Sequence, residues 1–250
     1  MKKAFFFYLA TLAVTPSAQA DKALIAVAAN FSGVAEQLEV AFEAGTDHEI
    51  TIVSGSTGGL YAQILNGAPY DVLLAADQER PMLLEKSGEA VDGSRFTFAS
   101  GRLALWSADS TLIKADLKAT LQQEEIHALA IANPALAPYG IASREALQSL
   151  QVWEGVRDKL VMGQNVGQAH ALIATGNAQV GVIALSQLIN TDQVPGSSYL
   201  EVPKHLHAPI YQDAVLLRHG RENRAAIDFL VFLRSSAGKD AISSSGYGTN

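Results

Sequence analysis

The chain has 250 residues, 48% of them apolar, and a formal charge of −7. Acid in excess of base argues against nucleic acid as a partner, because phosphate backbones are bound through lysine and arginine. With no cysteine, disulfides, thiol catalysis and thiolate zinc sites are excluded, and stability has to come from ordinary packing.

At the N-terminus Lys2 and Lys3 precede an uncharged run over 4–14, then Pro16 and the small-residue triplet Ala18-Gln19-Ala20. This pattern reads as a secretory signal over 1–20, cleaved before Asp21, and implies a periplasmic protein. The run is shorter than the roughly 20 residues that span a bilayer, and no second candidate follows, so no stable membrane insertion is expected. Loss of the two lysines takes the formal charge from −7 to −9.

Downstream, strand-like and helix-like runs alternate. The apolar run 23–28 predicts a strand, and Val34, Leu38 and Phe42 form one helical stripe after Ser32 that Gly45 ends. A strand over 49–53 precedes a helix over 60–65 that stops at Asn66-Gly67. Residues 72–75 form an apolar strand, and Pro81 opens a helix that stops at Gly88. Further strands are expected over 102–106, 128–132, 180–184 and 214–217, and further helices over 143–150, 168–175, 185–189 and 223–234. Strands this apolar predict mostly parallel sheets covered on both faces, the α/β class. No repeat, charge block or low-complexity linker marks a boundary, but the length allows two lobes.

Four strand-to-helix turns share one character. They contain Ala29-Asn30-Phe31-Ser32, Ser54-Gly55-Ser56-Thr57-Gly58-Gly59, the stretch from Asn133 to Gly140 with Tyr139, and Gly163-Gln164-Asn165-Val166-Gly167, and none carries a charge. A helix start leaves backbone N–H groups unpaired at the positive end of its dipole and so suits an oxyanion. Singly, each turn also reads as ordinary capping chemistry. Together they point to a small dianion held by hydrogen bonds alone. In open α/β sheets ligands bind beyond the carboxyl ends of the strands, and two turns fall early and two late, as expected if each lobe supplies half a cleft.

The sequence resembles the periplasmic molybdate- or tungstate-binding proteins of ABC-type importers, the ModA family. The resemblance rests on Ala28-Ala29-Asn30-Phe31, Ser54-Gly55-Ser56-Thr57-Gly58, Gly67-Ala68-Pro69-Tyr70-Asp71-Val72, Ser94-Arg95-Phe96-Thr97-Phe98-Ala99, Asn133-Pro134 with Ala137-Pro138-Tyr139-Gly140, and Asn165-Val166-Gly167-Gln168-Ala169, in family order over nearly the whole mature chain. It implies a two-lobed, type II binding-protein fold of mixed sheets flanked by helices, with lobe 1 over 21–102 plus 207–250 and lobe 2 over 103–206. Hinges are expected near 100–103 and 206–210. Carried over by position, the ligand contacts are Ala29, through its N–H, with Asn30, Ser56 and Thr57 from the first lobe and the backbone of Tyr139 and Val166 from the second. Many members place serine where this chain has Asn30, and some a ligand-touching tyrosine where it has Ala184, a role Tyr139 is expected to fill. The resemblance further implies a monomer that needs no cofactor and delivers its anion to a membrane permease with a cytoplasmic ATPase.

Other residues support weaker readings. His205 and His207 alternate as metal ligands would on a strand, but no third ligand has suitable spacing, and a surface pair near a crossover is the simpler reading. His170 reads as a solvated or capped side chain, Trp106 and Trp153 as core or lobe-surface residues, and Glu124-Glu125 as a solvated helix end. An exported hydrolase would use Ser56 as nucleophile with His170 or His127 as base, yet the segment is not a G-x-S-x-G elbow and no P-loop lysine appears. Sulfate, phosphate or an organic acid are alternative ligands. A carboxylate would ordinarily call for an arginine, which the turns lack.

Overall fold

The computed structural model describes residues 21–189 and 195–249. The expected signal segment, 1–20, lies outside the described residues. The strands in chain order are β1 (Lys22–Ala28), β2 (Glu49–Gly55), β3 (Val72–Leu74), β4 (Phe96–Gly101), β5 (Leu103–Ser107), β6 (Leu129–Ala132), β7 (Leu160–Gly163), β8 (Val180–Ala184), β9 (Ser198–Glu201) and β10 (Ile210–Leu216). The helices are α1 (Ser32–Gly45), α2 (Thr57–Leu65), α3 (Glu79–Ser87), α4 (Leu117–Leu121), α5 (Pro138–Ser149), α6 (Trp153–Val156), α7 (Val166–Ala174), α8 (Arg224–Arg234) and α9 (Ser236–Ser244). No described helix is long and apolar enough to cross a membrane.

Two five-stranded sheets result, in the orders β2-β1-β3-β10-β4 and β7-β6-β8-β5-β9. Each is mixed rather than mostly parallel. β1 runs parallel to β2 and β3, but β10 is antiparallel to both β3 and β4. In the second sheet β6 runs parallel to β7 and β8, and β5 is antiparallel to β8 and β9. The reversal has a topological cause. β5 and β10 are the strands by which the chain enters one sheet from the other, and they do not arrive through a right-handed strand-helix-strand crossover.

The chain leaves the first sheet at Arg102 and returns over residues 202–209. The two passages lie side by side: Val202 N–H donates to Leu103 O at 2.9 Å, and Arg102 Nε donates to Glu201 Oε1 at 2.9 Å. Each sheet has its own core. Phe31, Leu38, Phe42 and Phe229 pack on the first, and Trp106, Leu129, Tyr139 and Val180 on the second.

Local chemistry explains the element boundaries. The stripe Val34, Leu38, Phe42 is buried along α1, as expected. α3 starts at Glu79, two residues before Pro81, because the missing proline N–H falls in the first turn where no intrahelical bond is lost; Gly88 ends it in the left-handed conformation, φ 74°. α5 starts at Pro138, not near 143, since proline at the first helical position is preorganised for it. Residues 185–189 form only a short 3-10 turn, Leu185–Gln187.

Candidate functional site

The carboxyl ends of β1, β2, β6 and β7 face one another across the junction of the two sheets, and each strand turns there into a helix. At the first turn, Ala29 N–H donates to Gly55 O (2.9 Å), Phe31 N–H to Ala28 O (2.8 Å) and Ala35 N–H to Phe31 O (2.8 Å). Ser32 Oγ donates to Ala29 O at 2.8 Å. This commits the Ala29 N–H, the donor expected from that residue, to the chain itself; it pairs there because the end of β1 continues its ladder to β2. The Asn30 N–H has no partner among the described residues.

At the second turn Ser56 caps α2, its Oγ accepting from Gly59 N–H at 3.2 Å, while Thr57 Oγ1 accepts from Ala76 N–H at 3.0 Å. Both hydroxyl hydrogens remain uncommitted, and neither Ser56 N–H nor Thr57 N–H has a partner among the described residues. At the third turn Gly140 and Ile141 donate to Ala137 O, at 2.9 and 3.2 Å, but Tyr139 N–H does not pair. Gly140 permits the close approach of α5 to β6, since a Cβ there would lie 2.3 Å from Ala132 O. At the fourth turn Asn165 caps α7, its Oδ1 accepting from Gln168 N–H at 2.9 Å, and leaves Val166 N–H unpaired.

These groups surround one small pocket. All six expected residues line it, with Ala28, Gly55, Ala76, Ala137, Pro138 and Asn165, and not one lining side chain is charged. The residues are nonetheless buried: Asn30 is 5% exposed, Thr57 and Tyr139 1%, and Val166 3%. Buried main-chain N–H groups almost always find partners, so five without one among the described residues around one cavity suit an acceptor-rich occupant. Beside Ala76, which lines the pocket, Asp77 accepts from the Arg80 main chain at 3.0 Å and pairs with its guanidinium. Burial pushes the Asp77 carboxyl up against the pull of Arg80. A larger concavity between Tyr70, Glu89, Arg218 and Glu222 mixes both signs of charge and lies away from the four turns.

The Asn30 and Tyr139 side chains turn away from this role. Asn30 Nδ2 donates to Gln212 Oε1 (2.9 Å) and Tyr247 Oη (3.0 Å), and Gln212 Nε2 donates to Tyr139 Oη at 3.2 Å. The Tyr139 ring runs towards Gly101, where a Cβ would lie 2.2 Å from its hydroxyl oxygen, so its phenol is engaged with Gln212 and the backbone at Gly101. Burial, then the neighbouring Tyr247, raises the Tyr139 hydroxyl well above its ordinary value, and burial raises that of Tyr247 to about 12. Both stay protonated.

Gln212, Ser186 and Tyr247 escape a reading by pattern. The one available signal is the polar pair Gln212-Asp213 inside the apolar strand β10, where a bulge between the two re-aims Gln212 into the junction. His170 stacks on Trp106, ring centroids 4.6 Å apart, and lines a neighbouring cavity with Asn30 and Ser186. His127 is exposed, and Ser56 makes no bond to a histidine. His205 and His207 sit on a 3-10 turn and its end rather than on a strand, and no metal-holding cluster occurs among the described residues. Glu124 and Glu125 are exposed in a turn after α4.

A profile of bacterial extracellular solute-binding proteins matches residues 23–248. The chain belongs to that family. Among its relatives, the molybdate-binding protein ModA of Azotobacter vinelandii is 44% identical over 232 residues, covering 93% of this chain and 92% of that one. The protein of the same name from Rhodobacter capsulatus is 43% identical over 232 residues, covering 93% and 90%. The solved structure of the Azotobacter vinelandii periplasmic molybdate-binding protein superposes with a TM-score of 0.86 at 37% identity, covering 91% of this chain and 99% of that one. The two sheets and the pocket between them thus belong to a solute-binding fold.

Proposed function

We propose that this solute-binding protein captures molybdate, or tungstate, between its two halves and releases it unchanged to an importer. The observation that carries the reading is the set of five unpaired N–H groups, from Asn30, Ser56, Thr57, Tyr139 and Val166, around a pocket without a charged side chain. The Ser56 and Thr57 hydroxyls bring the donors to seven. Ala29 supplies wall, not a hydrogen bond. The names of the 44% and 43% identical relatives supply the choice of anion.

The magnitudes are sufficient. Hydrogen bonds to a charged group contribute about 1.5–3 kcal/mol each, and a nanomolar site requires about −12 kcal/mol after desolvation and closure are offset. A cavity whose free main-chain groups are donors disfavours a protonated phosphate, whose own O–H would have only the Ser56 and Thr57 hydroxyls to meet. Molybdate and tungstate have the same charge and shape and are expected to compete.

In this reading 21–102 with 207–250 form one lobe and 103–206 the other, and the passages at Arg102 and 202–209 are the hinge. The signal over 1–20 is removed on export, and the mature monomer docks on a membrane permease energised by a cytoplasmic ATPase. Equilibrium dialysis against molybdate, followed by release and spectroscopy of the anion, tests binding without turnover. Recovery of unaltered molybdate at one per chain is expected. No retention of molybdate, or hydrolysis of a generic phosphate ester, would overturn the reading.

A further inference from the structure

Of the main-chain polar groups of Ala29, Asn30 and Phe31, all but one are fixed. Ala29 N–H, Phe31 N–H and Phe31 O are bonded within the turn and its neighbours, and Ala29 O accepts from Ser32. Asn30 O accepts from Tyr247 Oη at 2.6 Å and faces Ser186 Oγ at 3.1 Å. Ser186 Oγ also lies 2.9 Å from Tyr247 Oη. The Asn30 side-chain amide spends both hydrogens, on Gln212 and Tyr247. What remains is the N–H of Asn30, a residue that lines the pocket.

The partners come from distant parts of the fold. Tyr247 lies past α9 on a short strap whose next residue, Gly248, exchanges two main-chain hydrogen bonds with Ser100, at 2.8 and 2.9 Å, beside the Arg102 passage. Its ring packs edge-on against Phe31, 5.3 Å between centroids. Gly246, at φ 84°, adopts the left-handed conformation that favours glycine, close to the end of the Ile189 side chain. Ser186 belongs to the half built on the second sheet, following β8. The Ser186 contacts to Asn30 and Tyr247 therefore exist only when the halves are together.

We propose that Tyr247 and Ser186 are positioning residues for oxyanion capture: Tyr247 holds the Asn30 peptide from within the same half so that its N–H faces the anion, and Ser186 joins it only in the closed arrangement, which makes its bond to the C-terminal strap a latch on the bound state. The inference rests on the reading of the pocket as an oxyanion site. It has a kinetic signature that general loss of structure lacks. A contact made only after closure slows release without affecting encounter, so its loss appears in the dissociation rate.

The test uses Tyr247→Phe, which keeps the ring packing and removes the hydroxyl, Ser186→Ala, and the double variant, each checked to melt near the parent. Stopped-flow kinetics with molybdate should show dissociation faster by about tenfold for Ser186→Ala, the loss of one hydrogen bond to this network, and by at least as much for Tyr247→Phe, whose hydroxyl also bonds Asn30. Association should stay near the parent rate, and the second substitution should add little to the first because the two hydroxyls act on one carbonyl. Since the chain has no cysteine, spin labels placed by Val40→Cys and Gln148→Cys, both exposed, report the distance between the halves. Tyr247→Phe should move that distribution towards longer distances, with or without molybdate. Parent-like dissociation together with unchanged distances would overturn the latch, as would equal loss in association and dissociation. Should the parent itself fail to bind molybdate, the proposed ligand falls. The latch is then decided by the ligand-free distances, where no change overturns it.

Discussion

At the scale of single residues, the site depends on main-chain donors, and this separates substitutions that look alike. Val166→Ala keeps the N–H and should bind molybdate like the parent, whereas Val166→Pro removes the donor while fitting the φ of a first helical turn. The expected loss is about 1.5–3 kcal/mol, roughly ten- to more than a hundredfold in the dissociation constant measured by calorimetry. Thr57→Ala should fall between the two, because it loses a hydroxyl that also accepts from Ala76 N–H. A folded Val166→Pro with parental affinity would remove the fourth turn from the site. The small polar residues of these turns were legible in the sequence because caps and tight turns leave a local signature. Asn30 was legible as a position but not in its use, for the side chain is committed to Gln212 and Tyr247, partners about two hundred positions away with no periodic relation to it. Ala29 shows the same limit: its N–H is spent on Gly55, which depends on strand register.

His170 supplies a second residue-scale test. Burial against Trp106 lowers its pKa from the ordinary 6.5, so the unfolded chain binds the proton more readily than the folded one. Its contribution to stability is therefore full above that ordinary value and is lost as pH falls through it towards the lower folded value. Melting temperatures of the parent should decline over this interval more steeply than those of His170→Gln. Parallel curves would show that the stacked ring does not govern the slope.

Among elements, the informative contact is between the start of α2 and the loop before α5. Gly58 N–H donates to Leu136 O at 2.9 Å across the junction, and a Cβ on Gly58 would lie 2.8 Å from the same oxygen. Gly58→Ala should therefore act in opposite directions on two measurements. Alanine is the better helix former by up to about 1 kcal/mol, so the melting temperature should hold or rise, while affinity for molybdate falls because the halves cannot meet. Small-angle scattering with saturating ligand should show the variant more extended than the parent. Parental affinity in Gly58→Ala would mean that this approach is not needed for capture. Elements with a strong period, such as α1, were readable from sequence, as were the apolar strands. β4, β9 and α9 were not: β4 and β9 mix polar and half-buried positions and form no apolar run, and α9, SAGKDAISS, buries only Gly238 and Ile242 and so shows no stripe. Strand direction was misread for a related reason, since an apolar run shows burial on both faces but not the direction in which the chain arrives.

For the whole molecule, the fold brings four helix starts from two sheets to one small, uncharged cavity, and this arrangement governs selectivity and pH dependence together. Among the described groups around the pocket, the phenols of Tyr139 and Tyr247 titrate above their ordinary range, His170 is held below its own, and the raised carboxyl of Asp77 is paired with Arg80. Affinity for molybdate should accordingly stay nearly flat between about pH 6.5 and pH 8. The account is tested most directly by calorimetric titration of the parent protein with molybdate, tungstate, sulfate and phosphate under one set of conditions. It predicts tight one-to-one binding of molybdate and tungstate and far weaker binding of the other two. Sulfate bound as tightly as molybdate, or heat of binding for none of the four, would contradict it.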